Sequence, residues 1–147
     1  MKLSALAVLA VLLAPVPGRG GPSEHFSISA AFRAPAKPDG TGAVAVTFSA
    51  LDPDVHINEE PAPRLKLDPV QTLLADRQAA PASKIPSFDP ANVKYLDITF
   101  PVSFPVAWAG KPPTSPQSVK ADVVYFYCSK REGWCRKGTS EVLFSVP

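Results

Sequence analysis

The stretch Leu96-Asp97-Ile98-Thr99-Phe100-Pro101-Val102-Ser103-Phe104-Pro105-Val106 has the longest regular pattern in this 147-residue chain. Leu96, Ile98, Phe100, Val102, Phe104 and Val106 recur at every second position, with Asp97, Thr99, Pro101, Ser103 and Pro105 between them. Successive side chains of an extended backbone point to opposite faces, so a period of two lines one face of a sheet with the apolar set. A helix is disfavoured here, because each proline removes a backbone donor and clashes with the preceding turn. Pro101 and Pro105 fall on the outward face, which suits an edge strand or a bulge.

The same alternation appears on both sides of this run. Phe26, Ile28 and Ala30 alternate with serines, Val44, Val46 and Phe48 with Ala45, Thr47 and Ser49, and Leu65 and Leu67 flank Lys66. Val142, Phe144 and Val146 share one face of a C-terminal strand from Glu141. Val119 to Tyr127 is apolar on both faces towards its end, which predicts a central, covered strand. The chain has 18 prolines, and no long proline-free stretch has a helical stripe. Short strands joined by turn-rich links predict an all-β antiparallel sandwich. Residues 35–42 read as a turn or loop, 75–92 as a long proline-rich loop, and 70–78 as room for one helical turn.

The N-terminus reads differently. Met1 and Lys2 precede an apolar run from Leu3 to Pro15, followed by Pro17, Gly18, Arg19 and Gly20. A short positive start, a short apolar run and then small residues predict a secretory signal peptide over residues 1–20. The run is shorter than the roughly 20 residues that span a bilayer. The exported domain is then 21–147, one domain with a modest core. Cleavage removes Lys2 and Arg19, so the 15 basic residues fall to match the 13 acidic ones. The mature chain is formally neutral and has no basic stripe interleaved with aromatics, which argues against a nucleic-acid partner.

Only two cysteines are present, Cys128 and Cys135, with six residues between them. Cys128 ends one predicted strand, and Cys135 lies in the connection to the next. In an exported chain such a pair predicts one disulfide. Closing so short a loop stabilises by about 2.5 kcal/mol in the chain-entropy model. A staple for stability alone gains more by joining distant strands, so the placement points towards a redox-active pair, with a hairpin staple as the alternative. Lys130, Arg131, Arg136 and Lys137 flank the pair against one acid, Glu132. Positive charge favours a thiolate and hence exchange, although loop cations are often simply solvated. Trp134 is placed to cover the sulfurs, to contact a partner or to pack.

The segment YFYCSKREGWCRKG (125–138), following SVKADVV (118–124), resembles the end of the N-terminal periplasmic domain of the DsbD family of thiol–disulfide interchange proteins. VTFSALDPDVHINEEPAPRLKLDP (46–69) resembles that family's early strands, and YLDITFPVSFPV (95–106) the strand after its cap loop. The resemblance implies an immunoglobulin-like sandwich in the bacterial periplasm, with Cys128 and Cys135 as the redox pair that passes electrons to partner proteins. It also implies a shielding cap within residues 80–92, with Phe88 as the shielding aromatic. Reduction then requires a separate partner, either a thioredoxin-like protein or a membrane electron-conducting redox protein.

Other chemistry has little support in the sequence. Cys128, Cys135, His56 and His25 lack the close spacing of structural zinc sites, and no metal or other cofactor is expected. Asp52, Asp54, Glu59 and Glu60 around His56 read as a solvated turn, with His56 as a loop histidine and Asp54 or Asn58 bonding its own backbone. No nucleophile elbow, phosphate-cradling loop or His-Glu-x-x-His occurs. The reading from another class is a binding or structural sandwich with a stapled hairpin.

Overall fold

A computed structural model describes residues 24–35, 40–75, 77–81 and 95–147. The expected signal peptide and Phe88 lie outside the described residues. Eight strands follow in order: β1 (Phe26–Arg33), β2 (Gly42–Ala50), β3 (Val55–Ile57), β4 (Arg64–Leu67), β5 (Gln78–Ala79), β6 (Val102–Val106), β7 (Gln117–Ser129) and β8 (Trp134–Val146). There is no helix among the described residues.

The strands form two antiparallel sheets. One has the order β1-β2-β6, and the other contains β3, β4, β5, β7 and β8. β7 is central in the second sheet. β8 pairs along its whole length on one side, while β3 and β4 share its other side, opposite residues 127–129 and 121–124 respectively. β7 is thus the central strand of its sheet, as the sequence predicted. Val44, Val46, Phe48, Val102, Phe104 and Val106 from the first sheet meet Ile57, Leu65, Val119, Val123, Tyr125, Val142 and Phe144 from the second. Each of these larger apolar side chains contributes about 1.5–3 kcal/mol by leaving water. Aromatic edges cross between the layers: the Phe26 ring lies 5.9 Å from Tyr125 and 5.8 Å from Tyr127, and Phe48 lies 5.6 Å from Tyr125. The architecture is a β-sandwich.

Four expectations need correction. The stretch 75–92 read as a loop contains β5, which pairs with β4, and β8 begins at Trp134 rather than Glu141, so Cys135 stands in a strand and not in the connection before it. The run 96–106 is not one strand: Leu96 donates its N–H to Ile57 O at 2.9 Å beside β3, and only Val102–Val106 forms a strand, paired with β2. The Asp97 carboxylate accepts hydrogen bonds from the Thr99 amide at 3.0 Å and the Thr99 hydroxyl at 2.6 Å. This local turn outcompetes the ladder and leaves Phe100 exposed. The other half of the expectation holds, since β6 is an edge strand with Pro105 facing out. Residues 70–75 form no helical turn. Instead the Gln71 side-chain amide accepts from Leu74 N at 2.8 Å and donates to Leu74 O at 2.9 Å. Leu74 then bridges to Trp108 and is buried.

The β7–β8 hairpin turns through residues 130–133. Gly133 has φ of +72°, in the left-handed region that glycine enters at little cost, and its N–H donates to Ser129 O at 3.0 Å. Ser129 is buried at the base of the turn. Its hydroxyl donates to Asp54 Oδ2 at 2.7 Å and accepts from Glu132 N at 3.1 Å, tying the hairpin to the β2–β3 connection.

Candidate functional site

Cys128 on β7 and Cys135 on β8 are direct cross-strand partners and form the expected disulfide, with an S–S distance of 2.05 Å. The ladder gives them unequal surroundings. β7 is flanked on both sides, so Cys128 is only 6% exposed. β8 pairs only with β7, and Cys135 is exposed.

β3 brings three further groups to the same place. In Val55-His56-Ile57-Asn58, Val55 and Ile57 point into the core, which turns His56 and Asn58 to the other face. His56 pairs with Cys128, so His56, Cys128 and Cys135 form one row across three adjacent strands. The Asn58 Oδ1 lies 3.1 Å from the Cys128 sulfur. A disulfide sulfur carries no proton, so this contact becomes a hydrogen bond only once Cys128 is a thiol. Tyr95 bridges to Asn58, its ring is 5.2 Å from His56, and the Lys130 ammonium sits 4.8 Å above it. His56 is thus a strand residue beside a cysteine, correcting the loop reading. The turn behaviour belongs to Asp52, whose carboxylate accepts from Asp54 N at 3.0 Å.

The electrostatics follow from this packing. Burial and then the positive charge of Lys130 push the His56 pKa below its ordinary value, against the opposing pull of Asp54 and Asp52. The hydrogen bond from Ser129, aided by Arg131, holds the Asp54 carboxyl below its usual range.

The other expected site residues are distributed around the hairpin. Lys130 reaches the cysteine face through Tyr95, while Arg131 turns to Asp54, with Nε 3.7 Å from Oδ2. Trp134 does not cover the sulfurs. As the neighbour of Cys135 on β8 it points to the opposite face, where its ring lies 5.5 Å from His25 and 5.7 Å from Tyr127. Its indole N–H donates to Glu132 at 2.5 Å, and the Arg136 guanidinium stacks on it at 4.4 Å. Among the described residues, no group of three or more His, Cys, Asp or Glu side chains is arranged to hold a metal ion. Sequence reading named His56 and Asn58 only as turn residues or unlikely metal ligands, and did not place them, or Tyr95, beside the cysteines. The available clue was the alternation of Val55-His56-Ile57-Asn58, too short to stand out beside the aspartates and prolines around it.

An exposed sulfur bonded to a buried one, with polar groups around the buried partner, is suited to attack from outside and release inside. No protein-family model, characterised protein or solved structure matches this chain.

Proposed function

We propose that this chain is an exported thiol–disulfide exchange domain, immunoglobulin-like and DsbD-like, that relays electrons through Cys128 and Cys135. The observation that carries this reading is the asymmetry of the pair: Cys135 is open to solvent, and Cys128 is 6% exposed. Exchange proceeds by in-line attack of a thiolate on one sulfur, so access decides which sulfur is attacked. A partner thiolate attacks Cys135 Sγ, forming a partner–Cys135 disulfide and breaking the Cys128–Cys135 bond. The electron pair leaves on Cys128. A second partner thiol then attacks the mixed disulfide, releasing the domain as a dithiol and the partner as a disulfide. The reverse sequence reduces a downstream disulfide.

The hairpin context supports the reading. β7 and β8 are paired over all 13 residues of each strand, so the disulfide adds little to a connection that the ladder already fixes. The proposed compartment is the bacterial periplasm. The proposed electron donor is a thioredoxin-like or membrane electron-conducting redox protein.

Mixed-disulfide trapping tests the proposal. Cys128→Ser leaves Cys135 free and is expected to capture a partner that alkylation and non-reducing electrophoresis detect. Cys135→Ser is expected to capture none. If neither variant traps a partner in periplasmic extracts, the bond is a hairpin staple and the domain is a structural or binding sandwich.

A further inference from the structure

Resting on the exchange reading, we infer that His56 is the base that deprotonates Cys128 when the reduced domain passes its electrons on. The chemistry creates the need for one. After Cys135 thiolate has attacked a partner disulfide, Cys128 must attack Cys135 Sγ to close the ring. Cys128 is buried, and burial favours the neutral thiol over the thiolate. The ring-closing sulfur is therefore the one least able to ionise unaided.

Among the described residues, the surroundings of Cys128 offer one suitable acceptor. His56 is its direct cross-strand partner on the same face. Directly opposed residues have Cβ atoms about 4.5–5.5 Å apart, within reach of an imidazole nitrogen and a sulfur. The other groups around it are poorer bases. Asn58 is an amide, able to orient the S–H through Oδ1 but not to take its proton. Lys130 is a cation and Tyr95 a phenol, neither of them a base near neutral pH. Asp54 accepts from Ser129 and faces Arg131, and both weaken it as a base. Asp52 is spent on Asp54 N and on His25, 3.7 Å away. His25, the chain's other histidine, packs against Tyr127 and Trp134 on the opposite face. Burial and Lys130 keep the imidazole neutral near pH 7, the state in which it accepts a proton.

The step balances. Cys128 S–H transfers its proton to the His56 imidazole. The Cys128 thiolate attacks Cys135 Sγ, the Cys135–partner bond breaks, and its electron pair leaves on the partner sulfur. The imidazolium then releases its proton to solvent or to that sulfur. The domain is oxidised by two electrons, and the partner disulfide is reduced to two thiols.

The test is stopped-flow reaction of the reduced full chain with an aryl disulfide that releases coloured thionitrobenzoate. The first release reports attack by Cys135, and the second, unimolecular release reports ring closure by Cys128. His56→Gln is expected to slow the second release about 100-fold near pH 7 and leave the first unchanged. The deficit should shrink as pH rises towards thiol ionisation, and the wild-type inflection below the ordinary histidine value of 6.5 should disappear. His56→Ala should regain the second phase when imidazole is added to the buffer. An unchanged second phase and pH profile in His56→Gln overturns the assignment and leaves the exchange reading intact. Equal slowing of both phases marks damaged packing and also overturns it. A wild-type chain that shows no second release removes the exchange reading itself.

Discussion

Gly138→Ala separates two opposed effects by sign. Glycine in a strand is worth about 0.5–1 kcal/mol less than alanine, so alanine stabilises where there is room. Gly138 has none: a Cβ there would meet Tyr125 Cζ at 2.5 Å, Cε2 at 2.6 Å and the hydroxyl at 2.8 Å. The Tyr125 ring cannot swing aside, because it is 1% exposed and packed by the edges of Phe26 and Phe48. A forced tilt also weakens the 3.4 Å contact between its hydroxyl and that of Ser140. Overpacking of this kind costs about 1–3 kcal/mol, and a lost hydrogen bond about 1 kcal/mol. After the backbone gain is subtracted, Gly138→Ala should destabilise the oxidised protein by about 1–3 kcal/mol. Urea unfolding followed by circular dichroism reads this as a lower midpoint at unchanged slope. Gly110→Ala, where a Cβ meets nothing within 4 Å, is the control and should move by about 0.5 kcal/mol or less. A Gly138→Ala protein as stable as wild type, or more so, would refute the account of how Tyr125 fills the end of the sandwich.

Three further outcomes follow from the structure. Reducing the disulfide should cost no more than the chain-entropy value of about 2.5 kcal/mol, because the loop it closes in the unfolded chain is short; comparing urea midpoints with and without reductant measures it. Ser129→Ala removes the hydroxyl that joins Asp54 to Glu132 N, and should destabilise by about 1–3 kcal/mol and raise the Asp54 pKa, which carboxyl NMR titration detects. Stability should fall on acidification in two stages. His56, with its folded pKa depressed, favours folding fully above about pH 6.5 and loses that contribution as pH drops below it. Asp54, also depressed, contributes above about pH 3.8 and loses its contribution as pH falls through its lower folded value. His56→Gln should flatten the upper stage in thermal melts across that range.

Much of the fold was legible because burial in a sandwich writes period two into sequence. β2 is a strand where the alternation placed it, β6 covers only the second half of its run, and β8 begins at Trp134, seven residues before the alternation does; β7 is central, as its doubly apolar end predicted. The pattern failed where a local hydrogen bond outcompeted the ladder. Asp97 captures Thr99 and ends what alternation alone would extend, and Gln71 uses its side chain to hold Leu74 where a helical turn was expected. The disulfide was legible from two cysteines flanking a predicted hairpin turn, but its asymmetry was not. That depends on β3 and β4 covering one side of β7, a long-range choice of partners that no local pattern encodes. The same pairing sets His56 opposite Cys128 and Asn58 against its sulfur. Trp134 was misplaced for a simpler reason, since adjacent residues on a strand face opposite ways and its neighbour is Cys135.

The equilibrium reduction potential of the Cys128–Cys135 pair tests the exchange account most directly. Equilibrating the full chain with graded thiol–disulfide buffers and counting free thiols after alkylation gives the value. The account predicts a potential among those of exchange proteins, between about −270 and −120 mV. A value below about −300 mV, where structural disulfides of exported proteins lie, would contradict it.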